Sequence, residues 1–262
     1  EAAALNAELF YGLLVGEMAA SQGDATNAIA SLMEAARQSQ SPQLYQRAAE
    51  IALQSRSGQQ AFIVANEWQT NFPQSRDANR YLLQILLRLN RISESQEPLA
   101  REVAWTNSAA KPATYLAIAQ LYSRATDKAL AAAVVEQALQ PDLQNPDLAA
   151  AAWATIGHMR INANQKDLAL QALTHAHAQS PRSGATALLA LELMETGTPA
   201  AEAMAQDYMR DKPTPTIQMA YARVLMGQNR WDDAQNQLTP LLKANPDMAD
   251  AWMAQASVHA QN

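Results

Sequence analysis

The chain has 262 residues, a formal net charge of −6 and no cysteine. Without thiols there are no disulfides, thiolate metal sites or cysteine catalysis, and the acidic balance, with no basic stripe, argues against nucleic acid as a partner. Glycine is scarce, at 8 residues, and no stretch alternates apolar with polar side chains for long, which argues against sheet. No uncharged apolar run approaches the roughly 18 residues needed to span a bilayer. The chain starts at Glu1 with neither initiator Met nor signal peptide, as a processed or excised protein would.

In chain order the sequence reads as pairs of helices. The first pair starts near Leu9, turns at Gly23-Asp24 and places small Ala28 on its second helix. The second opens at Ser41-Pro42, an N-cap followed by a first-turn proline, with Tyr45, Ala61 and Pro73 after it. The third starts near Arg76 and has Ser95 where the other pairs have Ala. Pro98 falls inside its second helix, so a kink or a late helix start is expected there. The fourth starts near Pro112, with Tyr115 and Ala131, and the link that follows, residues 142–147, is a few residues long for its place. The fifth is capped at Asn145-Pro146 and starts near Ala150. It carries Trp153, Ile156 and Gly157, turns over residues 164–167, and continues through Ala169, Leu170, Leu173 and Ala176 to Pro181. The sixth starts near Arg182 and holds Ala201 and Pro213. The seventh starts near Pro215 and holds Trp231, Ala234, a second mid-helix proline at Pro240, where a kink or a late helix start is again expected, and Pro246. An unpaired helix with Trp252 fills residues 249–262.

Recurrence at about 34 residues is the mark of a repeat architecture. Small residues let two helices approach closely, larger ones fill the gaps between pairs, and a proline after the second helix forces the turn. The expected fold is all-α: one array over 1–262, a right-handed α-solenoid of antiparallel helix pairs with a continuous core. Tyr45, Tyr115, Trp153, Trp231 and Trp252 are expected in that core.

Residues 145–181 resemble a tetratricopeptide repeat at nearly every signature position, and the same frame fits the other pairs. The resemblance implies a protein-binding scaffold that receives a peptide or protein partner on the concave face formed by the first helix of each pair. The frame assigns Gln46, Arg47, Glu50, Arg80, Tyr81, Gln84, Arg88, Gln120, Arg124, His158, Asn162 and Arg223 to that face. Arg and Gln donors there can hold carbonyls or carboxylates of an extended peptide. Met194, Met219, Met226 and Met253 are expected to continue the lining as adaptable apolar contacts. Some members of the family grip chaperone C-termini with a Lys, Asn and Arg clamp. Gln46 and Glu50 stand where Lys and Asn are needed, and Tyr81 where a second Asn is needed, so that clamp is absent.

Catalytic patterns are missing: the sequence has no phosphate-binding glycine loop and no nucleophile elbow. His175 and His177 project about 200° apart on a helix and do not make a metal pair. Asp232 and Asp233 sit at a helix start, where they favour the dipole. Neither enzymatic activity, a cofactor nor a metal is expected.

The run from Leu5, Leu-Asn-Ala-Glu-Leu-Phe-Tyr-Gly-Leu-Leu-Val-Gly-Glu-Met-Ala, followed by Gly23-Asp24, Ser41-Pro42 and Gln46-Arg47-Ala48-Ala49-Glu50-Ile51-Ala52, resembles the start of mature tetratricopeptide lipoproteins of proteobacterial outer membranes. One branch of that group delivers substrates to periplasmic proteases. The resemblance implies a periplasmic, outer-membrane-associated adaptor, tethered through an N-terminal lipid anchor that this cysteine-free chain lacks, and hence a piece of a longer protein. A self-associating structural spacer in an envelope complex and a cytoplasmic regulatory adaptor are the alternative readings.

Overall fold

A computed structural model describes residues 2–261. Among these residues every regular element is helical. The chain divides into two compact units, Glu1–Trp105 and Thr106–Asn262.

The first unit holds α1 (Ala2–Ser21), α2 (Ala25–Ser39), α3 (Pro42–Gln54), α4 (Gly58–Asn71), α5 (Arg76–Arg88) and α6 (Gln96–Trp105), each packed on the next. Local chemistry sets the boundaries. The Asp24 carboxylate accepts from the Asn27 amide at the start of α2, and the Ser75 hydroxyl from the Ala78 amide at the start of α5. Pro42 opens α3, where its missing N–H costs nothing. Alanines at the helix crossings, Ala28, Ala36, Ala49 and Ala61, are fully buried. Ser95 is as buried as they are, because its hydroxyl donates to the Ile92 carbonyl (2.6 Å) instead of needing water. Pro98 stands third in α6, after a 3₁₀ turn at Ser93–Ser95, so the helix does start late.

The second unit holds α7 (Lys111–Tyr122), α8 (Lys128–Leu139), α9 (Ala149–Asn162), α10 (Lys166–Gln179), α11 (Gly184–Glu195), α12 (Glu202–Met209), α13 (Pro215–Gly227), α14 (Trp231–Ala244) and α15 (Ala249–His259). Odd-numbered helices pack on one another from α7 to α15, as well as on their even-numbered partners. Consecutive antiparallel pairs stacked in this way make each unit an α-solenoid. The long link after α8 is pinned from below. Asp142, 4% exposed, accepts from Lys111 Nζ (2.6 Å) and from the Tyr115 hydroxyl (2.7 Å), tying the link to α7. Burial and then the Asp142 hydrogen bond push the Tyr115 phenol far up, so it stays a donor.

Several expectations need correction. α1 begins at Ala2 instead of near Leu9, because the alanine run ahead of Leu5 continues the helix. The sixth pair's second helix is short, a 3₁₀ turn at Pro199–Ala201 leading into α12. α14 starts at Trp231 and runs through Pro240 to Ala244, so the proline does not delay its start. Tyr45 and Tyr115 are core, but Trp153 and Trp231 are half-buried and Trp252 is exposed. Trp252 lies on the side of α15 that α13 and α14 leave open, and its indole N–H donates to the Pro246 carbonyl (2.8 Å).

Candidate partner-binding groove

The first helix of each pair carries the residues expected to bind a partner, apart from Arg124 in the turn after α7, and the two units treat those residues differently. In the first unit several of these polar side chains are spent on contacts between helices or along one helix. Arg47 of α3 reaches back to Glu17 of α1 with two hydrogen bonds of 2.6 and 2.8 Å. Glu50, one turn further along α3, accepts from Gln46 (3.0 Å) and from the Tyr81 hydroxyl of α5 (3.3 Å). The Tyr81 ring lies against Trp68, 5.5 Å between centroids, and burial raises its phenol above the usual range. Arg80 pairs with Glu102 of α6 at 3.3 Å. Only Gln84 and Arg88 stay exposed with no hydrogen bond or ion pair among the described residues. Arg47, Arg80 and Tyr81 therefore act as staples between helices.

In the second unit Gln120 is exposed on α7, and Arg124 is exposed in the turn that follows it. Arg223 of α13 is held by Asp250 of α15 at 3.0 Å. His158 and Asn162 belong to a more developed site. A groove of about 370 Å³ opens across α7, α9 and α11. Alanines 119, 151, 154 and 185 form its floor, and Leu116, Leu188 and Leu189 its walls. Leu116 is 64% exposed and Leu188 50%, high values for large aliphatic side chains facing a shared hollow. Gly157 lets α9 come close to α11: a Cβ there would lie 2.4 Å from Leu189 Cδ2, so Leu189 keeps its place only beside glycine.

One polar edge borders this apolar hollow. His158 Nδ1 lies 2.9 Å from Glu192 Oε2 of α11, and His158 Nε2 lies 3.1 Å from Asn162 Nδ2. A carboxylate only accepts, so Nδ1 carries the proton and Nε2 of the neutral ring accepts from the Asn162 amide. The Glu192 hydrogen bond raises the His158 pKa above its ordinary value; burial opposes this and the Glu192 charge adds to it. The Thr155 hydroxyl donates to the Ala151 carbonyl of its own helix.

The methionine lining is corrected. Met194 and Met219 are 2% and 3% exposed and belong to the core of the second unit, and Met226 packs against that core; only Met253 is exposed. Their frame positions turn inward because α11 and α13 pack on each other. Leu116 and Leu188 lie outside the expected set of binding residues, although the sequence carries a signal for the groove. Leu116 and Ala154 each follow the residue at the large packing position, Tyr115 and Trp153, as Gln46 follows Tyr45 in the second repeat, and Leu188 lies on the first helix of the sixth pair. Apolar side chains at these positions mark the groove.

Among the described residues no three His, Cys, Asp or Glu side chains gather where a metal ion could sit, and no helix is long and apolar enough to cross a membrane.

Comparison with known proteins matches residues 220–262, covering α13 to α15, to the tetratricopeptide repeat family. No curated protein matches the chain. Solved structures that resemble it include a tetratricopeptide repeat protein from Parabacteroides merdae, at 13% identity and a TM-score of 0.39, covering 96% of this chain and 99% of that one. Pseudomonas aeruginosa PilF matches at 14% identity and a TM-score of 0.39, over 82% of this chain and 97% of its own. PilW, a type IV pilus biogenesis factor, matches at 17% identity and a TM-score of 0.33, over 88% and 98%.

Proposed function

We propose that this protein is a protein-interaction scaffold whose α7–α9–α11 groove takes a large apolar side chain from an extended segment of a partner. The observation that carries this reading is the pair of exposed leucines, Leu116 and Leu188, that line one hollow together with four alanines. Apolar surface of that kind is buried at about 25 cal/mol per Å² when an aliphatic or aromatic side chain enters. Glu192 and His158 at the rim offer an acceptor and a switchable donor to the partner's backbone or to a polar neighbour of the anchoring side chain. The tetratricopeptide match at residues 220–262 and the stacked pairs support the scaffold reading.

The N-terminal resemblance favours a partner in the bacterial envelope, with the scaffold delivering clients to a periplasmic protease from the inner side of the outer membrane. A photo-crosslinking side chain at Ala154, in the groove floor, tests the site directly in an envelope extract. It should trap a specific polypeptide, and Leu116→Glu with Leu188→Glu should abolish the adduct. An equally strong adduct from a probe at Gln171, exposed on α10, would overturn the groove as the site.

A further inference from the structure

α1 presents a surface that neither the groove nor the core explains. At about 100° per residue, Phe10, Leu14 and Met18 fall within about 80° of one another, and Tyr11 extends the stripe to about 100°. Their exposures are 68%, 46%, 53% and 69%. The opposite side of α1 makes the contact with α2. A Cβ on Gly12 would lie 3.2 Å from Ala35 Cβ, and one on Gly16 would lie 2.9 Å from Leu32 Cγ. The helix is therefore apolar on both faces and covered on one. Helices apolar all round are normally buried all round.

We infer that this stripe is a self-association surface, covered by α1 of a second copy. Charge decides between a protein surface and a lipid one. The first basic residue of the chain is Arg37, and Glu1, Glu8, Glu17, Asp24 and Glu34 precede it. Helices that lie on bilayers depend on Lys and Arg for attraction to anionic headgroups, and here the sign is wrong. A second copy meets no such penalty. The stripe itself is uncharged, and Glu17 beside it is already held by Arg47. In a twofold contact the same patch faces itself, so an uncharged centre is what self-pairing needs. Leu14 sits mid-stripe, nearest the axis. Ser31, Glu34 and Gln38 of α2 border Tyr11 and supply the polar rim common around apolar interface centres. Large side chains exposed to this degree leave on the order of 450 Å² per copy, or about 900 Å² for the pair, with Leu13 and the rim adding to it. That area fits a weak, concentration-dependent dimer.

Sedimentation of the full chain from about 1 μM to a few hundred μM reads this out. The parent should rise from monomer toward twice its mass, and Leu14→Glu should stay monomeric with unchanged helicity and unfolding midpoint. Met253→Glu, on the exposed side of α15, should dimerise as the parent does. A parent that stays monomeric throughout overturns the inference and leaves the stripe to a different polypeptide. So does a dimer that survives Leu14→Glu or is lost with Met253→Glu.

Discussion

His158 is the residue where ionisation and binding meet. Its pKa is raised in the folded protein, chiefly by donation to Glu192. A raised folded-state value means that the pairing stabilises fully below the unfolded value of about 6.5 and fades as pH climbs through the folded value. The loss therefore falls on the alkaline side of the unfolded value, not in acid. The side chain is 46% exposed, so screening holds the effect to the surface-pair scale of about 0.2–1 kcal/mol. The larger consequence is for the groove. Protonation makes Nε2 a donor, which obliges the Asn162 amide to present its oxygen, and it neutralises Glu192 at the rim. An imidazole titration followed by NMR should place His158 above 6.5, and Glu192→Gln should move it back down. A midpoint indifferent to Glu192→Gln would remove the pair from the account.

At the scale of elements, the two mid-helix prolines have opposite fates for one physical reason. Pro98 sits in the first turn of α6, where the amide it lacks has no helical partner. Pro240 is ten residues into α14, where it removes the bond to the Asn236 carbonyl. Pro240→Ala should therefore stabilise by about 2 kcal/mol: roughly 3 regained in the helix, less up to about 1 for a freer unfolded chain. Pro98→Ala should instead destabilise by about 1–2 kcal/mol, through its lost buried ring and the freer unfolded chain. Urea unfolding separates the two by sign, and equal destabilisation would contradict the helix geometry. The same elements show what the sequence makes legible. Close helix contact tolerates only small side chains, so Ala28, Ala61, Ala131, Ala169, Ala201 and Ala234 could be read as crossing points, and all are fully buried. The helical fold followed from that spacing. The state of the groove residues did not. Whether Arg47 meets a ligand or Glu17 depends on a partner 30 residues away on another helix, which one repeat's pattern does not contain. Trp252 fits the packing position of its frame yet is 52% exposed, because position in a repeat specifies a direction and not what lies there.

For the whole molecule, the division into units separates the two proposed surfaces. The first unit has its own core, centred on Tyr45, Trp68, Leu32 and Ile85, and carries the α1 stripe. The second has a core running from Ala169 to Val258, and carries the groove and the tetratricopeptide match. Repeat stacks draw their stability from neighbouring pairs, and both units contain the several pairs that independent folding needs. Residues 1–105 and 106–262, made separately, should each give a helical spectrum and a cooperative melt. The binding properties should then part: residues 1–105 should associate with concentration and lose this with Leu14→Glu, while residues 106–262 should keep the Ala154 crosslink and stay monomeric. A second unit that folds but no longer yields the crosslink would mean that the partner also reads the first unit, where exposed Gln84 and Arg88 are the side chains free to meet it.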